Sequence, residues 1–231
     1  MLILAIDTTS PYGSVALLRD AELLRLVARA DDHPYSSRLF HDVEQALHEA
    51  GAAMPQVELF AVASGPGTFT GVRVGLTAVK AWAEVYRRPV AAVSALEAIA
   101  SQSTQTERLV AGIADARRGQ FFAGLYERAG TGLLRRGDDV VMSPAESFAY
   151  LAEQSAGEAY VVRTTAVDMV RAALSGDAAR SVRVEAAEPA LAADVGRLGF
   201  VRAQRGELVD ALTLDAHYVR RSDAELLWHD R

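Results

Sequence analysis

Two short apolar runs, Leu2 to Ile6 and Ser14 to Leu18, open the chain on either side of Asp7-Thr8-Thr9-Ser10-Pro11-Tyr12-Gly13, a segment dense in turn formers. Runs of that length are too short for helices, and their flanking turn chemistry predicts a β-hairpin. Glu22 to Arg29 carries Leu23, Leu24, Leu26 and Val27 and extends the hairpin to a three-stranded meander, which Asp31-Asp32-His33-Pro34 breaks. From a cap at Ser36 or Ser37, the residues Leu39, Phe40, Val43, Ala46, Leu47 and Ala50 recur at helical spacing up to Gly51, so an amphipathic helix with a glycine stop is expected. Val57 to Ala63 reads as a buried strand. It runs directly into Ser64-Gly65-Pro66-Gly67-Thr68-Phe69-Thr70-Gly71-Val72-Arg73. A helix to about Arg87, a strand over Pro89 to Val93 and a short helix from a capping Ser94 to Gln102 complete this half. Such alternation predicts a sheet covered by helices.

At Leu109 the opening pattern returns: an apolar run to Ala114, then Asp115, the turn Ala116-Arg117-Arg118-Gly119 and a second run from Gln120 to Tyr126. Strand, aspartate, glycine turn and strand thus occur twice, which suggests a duplicated unit. We therefore divide the chain into lobes at 1–103 and 104–215 with a tail at 216–231. Beyond 127 the pattern predicts strands near Val140 and Val161 and helices over Pro144–Gln154, Ala166–Leu174 and Pro189–Ala203.

Composition adds exclusions. With 50% hydrophobic and 23% charged residues, the 231-residue chain is of ordinary globular type. The absence of cysteine removes disulfides and thiolate chemistry and fits a cytoplasmic setting. Asp7 interrupts the first apolar run before a signal segment could form, and no stretch reaches the ~20 apolar residues of a membrane span, so no membrane contact is expected. A net charge of -6 argues against a protein that grips nucleic acid unaided, because phosphate contacts need Lys or Arg.

Several segments could carry chemistry. Gly65 and Gly67 stand where a strand hands over to a helix, a position suited to phosphate. Neither fits the Walker spacing or the dinucleotide fingerprint, and Pro66 removes an N–H, so tight turning and close packing are the preferred explanation. Gly71, Gly75, Ala78 and Trp82 line one face of the following helix, small residues ending in an aromatic. Core packing and a partner interface explain that face equally well. Asp7 with Thr8 and Thr9, and Asp115 in the other lobe, outline a divided nucleotide cleft, although an Asx turn explains either aspartate alone. The five histidines show no four-residue spacing, and no nucleophile elbow occurs, so no metal site and no catalytic residue are assigned.

Ile3-Leu4-Ala5-Ile6-Asp7-Thr8-Thr9, the Gly-Pro-Gly-Thr-Phe-Thr-Gly-Val-Arg run over 65–73, Val93-Ser94-Ala95-Leu96-Glu97-Ala98 and, in the tail, Tyr218 to Glu225 together resemble the TsaB (YeaZ) family. The resemblance implies an α/β, actin-like (ASKHA, ribonuclease H-like) two-lobed fold with mixed sheets flanked by helices. It also implies a role in making threonylcarbamoyladenosine beside the anticodon of tRNA. The catalytic relative TsaD carries a histidine pair after the strand matching Pro89 to Val93. Here Ser94-Ala95-Leu96-Glu97-Ala98-Ile99 stands there without histidine, so an accessory subunit with no independent activity and no cofactor of its own is implied. Its partners would be TsaD and the small ATPase TsaE, with ATP or ADP held at the complex interface and tRNA met only through the complex. The pairing surface would be the two helices of the first lobe, through Leu39, Phe40, Val43, Gly71, Val74, Gly75, Ala78 and Trp82, and a homodimer would compete for it. On that reading Gly75→Arg abolishes pairing and leaves the monomer folded. The rival readings are an actin-like ATPase or kinase using Asp7 and Asp115 on Mg-nucleotide, and a glycoprotease-type metallopeptidase, disfavoured by the missing histidines.

Overall fold

The computed structural model describes residues 1–29, 35–104, 107–174 and 182–220. The first half contains β1 (Leu2–Asp7), β2 (Ser14–Arg19), β3 (Glu22–Ala28), α1 (Tyr35–Glu49), β4 (Leu59–Gly65), α2 (Phe69–Tyr86), β5 (Val90–Ser94) and α3 (Ala95–Ser101). The second contains β6 (Leu109–Asp115), β7 (Phe121–Ala129), β8 (Gly132–Met142), α4 (Pro144–Gln154), β9 (Tyr160–Thr164), α5 (Val167–Ala173), β10 (Arg183–Ala186) and α6 (Ala192–Arg205). The break expected at Asp31 to Pro34 and the tail beyond Arg220 lie outside the described residues.

The strands form two five-stranded sheets, ordered β3-β2-β1-β4-β5 and, read in the same sense, β8-β7-β6-β9-β10. In each, the first strand pairs antiparallel with the second and parallel with the fourth. The duplication suggested by the two aspartate turns therefore extends to the whole strand order. Sequence reading missed β10 and found only the end of β8. The four residues of β10 are half-buried or exposed, and β8 carries Arg135-Arg136-Gly137-Asp138 in its middle, so neither offers a continuous apolar signal.

Strand alternation assigns the two faces of each sheet. Along β1, Leu4 and Ile6 pack with Leu39 and Val43 of α1 and with Leu76 and Val79 of α2. Ile3 and Ala5 face the opposite way, toward Val195 and Leu198 of α6. In the second sheet Leu109, Ala111 and Ile113 pack with Phe148 and Leu151 of α4 and Val170 of α5. Val110 and Val161 face Leu96 and Ile99 of α3.

The last helix of each half thus covers mainly the other half's sheet: α3 packs most on β6, and α6 on β1, β2, β4 and β5. Two glycines of α6 permit its close approach, since a Cβ at Gly196 would lie 2.3 Å from Leu18 Cδ1 and one at Gly199 2.8 Å from Ala61 Cβ. Dividing the chain at 103/104 therefore follows its order and not its packing at these two helices. Sequence periodicity identifies an apolar face without revealing which sheet receives it.

Candidate functional site

Asp7, Gly65 and Ser94 end the three mutually parallel strands β1, β4 and β5, so all three lie along one edge, where open α/β sheets commonly hold ligands. Asp7 is wholly buried. Its Oδ1 accepts from the Thr9 N–H at 2.9 Å and the Thr9 hydroxyl at 2.6 Å, while Oδ2 has no partner among the described residues. Burial raises the Asp7 pKa, with the Thr9 bonds opposing it. A carboxyl in that state is poorly prepared to hold a cation.

The glycine loop packs against this turn and the tail. Thr8 donates its hydroxyl to the Gly71 carbonyl at 2.7 Å, and the Thr68 N–H donates to the Thr9 carbonyl at 2.8 Å. A Cβ on Gly67 would stand 2.4 Å from the Thr9 carbonyl oxygen, and one on Gly71 1.9 Å from the Thr8 carbonyl oxygen. Gly65, at φ +118°, would bring a Cβ within 2.7 Å of the His217 carbonyl oxygen. The residues nominated for phosphate thus make close contacts with this chain's own backbone.

Asp115 occupies the matching turn of the second lobe and is more open. Its Oδ1 accepts from the Arg117 N–H at 2.7 Å, and Oδ2 lies 3.6 Å from the Arg117 guanidinium. The tail spans the space between the lobes. The His217 N–H donates to the Ser64 carbonyl, Tyr218 stacks on Phe69 at 5.0 Å with its hydroxyl accepting from Arg73, and Arg220 donates to Ala116 O and Gln120 Oε1.

A polar junction beside the tail was not read from sequence. Buried Asp139 on β8 accepts from Tyr126 at 2.7 Å, Ser94 at 2.8 Å and His217 Nε2 at 3.0 Å. Burial acts to raise the Asp139 pKa, but the bonds from His217, Tyr126 and Ser94 outweigh it and hold the carboxyl below its ordinary value. Nearby, Glu97 of α3 pairs with Arg202 of α6 at 2.6 Å; burial raises its pKa and Arg202 opposes the shift. These residues come from separate elements far apart in sequence, so no local motif announces them. Among the described residues, no three His, Cys, Asp or Glu side chains are grouped to hold a metal.

The eight nominated interface residues divide. Leu39, Val43, Gly71, Gly75 and Ala78 are buried within the chain, and a Cβ on Gly75 would already meet Thr8 Oγ1 at 2.5 Å. The small-residue face of α2 is therefore turned toward the core, and the expectation that Gly75→Arg leaves the monomer folded is corrected. Phe40 is 63% exposed, Trp82 and Val74 partly so. Trp82 bridges interior and surface, stacked on Phe60 at 6.2 Å and edge-on to Phe40 at 5.6 Å. With Val43, Leu47 and Met54, the rings of Phe40 and Trp82 line a groove of about 350 Å³ bordered by Glu44 and His48. Val85, at 71% exposure, adds an apolar residue on the outer face of α2 that sequence reading had not selected.

Duplicated halves, exchanged covering helices and a binding edge occupied by the chain's own residues define an actin-like two-lobed protein. A ROK hexokinase from Thermus thermophilus shares that fold alone, at a TM-score of 0.50 and 14% identity, covering 87% of this chain and 97% of that one. A Pseudomonas aeruginosa protein described as similar to peptidase YEAZ matches at a TM-score of 0.79 and 29% identity, covering 95% of this chain and 99% of that one. The family model "TsaD: tRNA N6-adenosine threonylcarbamoyltransferase" matches residues 30–195. The chain belongs to this family, on its TsaB (YeaZ) side. A Bacillus subtilis "tRNA threonylcarbamoyladenosine biosynthesis protein TsaB" is 37% identical over 127 residues, 55% of this chain and 56% of that protein. The protein of the same name from Escherichia coli is 32% identical over 139 residues, 58% of each. The chain thus spans little more than half the length of these curated relatives. No helix among the described residues is long and apolar enough to cross a membrane.

Proposed function

We propose that this chain is a non-catalytic partner subunit in the synthesis of threonylcarbamoyladenosine on tRNA, acting in the cytoplasm by pairing with a TsaD-type catalytic subunit. The observation that carries this reading is the contrast between its two prospective sites. The glycine loop and Asp7 are engaged by the chain itself, while the Phe40–Trp82 groove lies open on α1 and α2. Aromatic residues anchored in the core at one end and exposed at the other are the usual centre of a protein interface. The pairing surface is therefore narrower than the sequence suggested: Phe40, Trp82, Val74 and the outer face of α2, with the remaining nominated residues supporting it from inside.

With a net charge of -6, tRNA is met through the complex, and any ATP or ADP is held at the junction with the catalytic subunit or a TsaE-type ATPase, not by this chain alone. A homodimer through the same groove is the competing pairing.

Reconstitution tests the reading. Threonylcarbamoyl transfer to tRNA by the catalytic subunit is assayed with and without this chain, and again with Phe40→Glu. Because Phe40 is largely exposed, the variant should fold normally, fail to co-elute with the catalytic subunit and support at most a tenth of the transfer, a loss of about 1.4 kcal/mol or more in pairing. Transfer by the chain alone, or full activity in its absence, overturns the proposal.

A further inference from the structure

Four aromatic side chains are exposed among the described residues: Tyr12, Phe40, Phe69 and Tyr218. Phe40 belongs to the groove on α1 and α2. The other three stand on the rim of the sheet edge, where the partner role makes no use of them. Tyr12 is on the β1–β2 turn against which Gly67 and Thr68 pack, Phe69 opens α2, and Tyr218 comes from the tail. Clustered exposed rings mark an interaction surface. Here they are also pre-ordered: Tyr218 lies 5.0 Å from Phe69, the Arg73 guanidinium 3.7 Å from the Phe69 ring, and Arg73 Nε donates to the Tyr218 hydroxyl at 3.0 Å.

Two residues along the tail, no more than about 7 Å away, Arg220 is fastened to Ala116 and Gln120 of the β6–β7 turn. That turn presents Arg117 and Arg118, both exposed, at φ +61° and +56°. Such backbone is uncommon for arginine and costs stability. The carboxylates on or bonded to these segments are Asp115, which faces Arg117, the exposed Asp215, and Asp139, buried behind His217. Asp7 is buried, and its raised pKa favours the neutral form. Four guanidiniums, Arg73, Arg117, Arg118 and Arg220, against three carboxylates leave the rim positive in a chain of net charge -6. Exposed rings with arginines beside them are the composition of single-strand nucleic-acid sites, where bases stack and cations meet the backbone. A duplex hides its base faces, and an acidic peptide would leave the rings uncovered.

We propose that this rim binds an unpaired stretch of RNA, with a base on Tyr218 and neighbouring phosphates on Arg117 and Arg118. That the strand is RNA rests on the partner role proposed above; that it is unpaired rests on the rim alone. None of these residues lines the Phe40–Trp82 groove, so RNA and the catalytic subunit engage the chain at separate places.

The test is fluorescence-anisotropy titration of a labelled anticodon stem-loop RNA with this chain paired to its catalytic subunit, at several salt concentrations, beside a fully paired RNA duplex and polyglutamate. Arg117→Gln combined with Arg118→Gln should weaken binding of the stem-loop about tenfold and lower the salt slope by about 1.4, as two lost single-strand phosphate contacts require. Tyr218→Leu should weaken it about tenfold with the slope unchanged, and Tyr218→Phe, which keeps the ring, by less than about twofold. Arg25→Gln on β3 changes nothing. Each variant is first shown to co-elute with the catalytic subunit, which separates this result from the partner role. Should the unaltered chain fail to pair, the partner role falls, and the same titration on the chain alone decides the rim. RNA affinity unchanged by the arginine and Tyr218→Leu variants would overturn the proposal. So would polyglutamate displacing the stem-loop, or a duplex that loses as much affinity as the stem-loop on Tyr218→Leu.

Discussion

The turns that open the two lobes start from the same backbone device and end in different environments. In each, an aspartate at the end of the first strand accepts the N–H two residues on, Thr9 for Asp7 and Arg117 for Asp115. Asp7 is then covered by the glycine loop and α2 and has no exposed surface. Asp115 remains partly exposed, facing the arginine of its own turn. A shared local motif therefore does not imply a shared role. What covers the motif decides whether its carboxylate is available.

The sharpest way to break this contrast is to alter the cover. Gly71→Val would force a side chain into the Thr8 carbonyl, where even a Cβ stands at 1.9 Å, and the obstacle is backbone that cannot swing away. Gly75→Arg places a charge in the same buried seam. Each should cost about 4 kcal/mol or more and yield little folded protein, as read by urea denaturation. Gly119→Ala, in the second turn, meets no atom within 4 Å and bears only the strain of its φ of +70°. It should cost about 1–2 kcal/mol.

A smaller effect of opposite sign is expected at the carboxyls. Because the folded-state pKa of Asp7 is raised, the native protein keeps a proton that the unfolded chain releases. The stability tied to that proton is complete below the unfolded pKa and is lost as pH rises through the folded one. Asp7→Asn preserves an oxygen for Thr9 and removes the ionisation. It should match the wild type in acid and exceed it at pH 8 by on the order of 1 kcal/mol, the usual scale for relieving a buried unpaired polar group. Thermal melts across the pH range check this, and a variant less stable at pH 8 than at pH 4 relative to wild type would show that Asp7 is ionised and partnered in the native protein. Asp115→Asn keeps an oxygen for the Arg117 N–H at a partly exposed position and should move the melting temperature by little.

The fold was legible in the chain wherever local pattern decides structure. The apolar runs at Leu2 to Ile6 and Leu109 to Ala114, each followed by aspartate and a glycine turn, exposed both the strands and the duplication. Helical periodicity located α1 and α2. It could not say that Gly71, Gly75 and Ala78 face inward, because a stripe of small residues looks the same against Thr8 as against a partner. Asp139 was invisible for a different reason: its partners Ser94, Tyr126 and His217 sit 45, 13 and 78 residues away. Only the stacking of two lobes and a returning tail brings them together.

That tail gives the subtlest test, because it joins the two regions compared. Tyr218 lies on Phe69 with Arg73 at its hydroxyl, in the first lobe, and Arg220 holds Ala116 and Gln120 in the second. An offset aromatic pair is worth about 0.5–1.5 kcal/mol beyond its area, and Arg73 over the Phe69 ring at 3.7 Å keeps part of the cluster when Tyr218 is removed. Tyr218→Ala should therefore change global stability by less than about 1 kcal/mol, since a segment held outside the sheets by a few such contacts opens locally before the sheets do. Hydrogen exchange should nevertheless quicken at His217, whose N–H is held by the Ser64 carbonyl. It should stay slow along β1 and β6. If exchange at His217 is unchanged, the tail is held by His217 and Asp139 alone, and the link between the two turns runs through the Asp139 junction and not through the Phe69 stack.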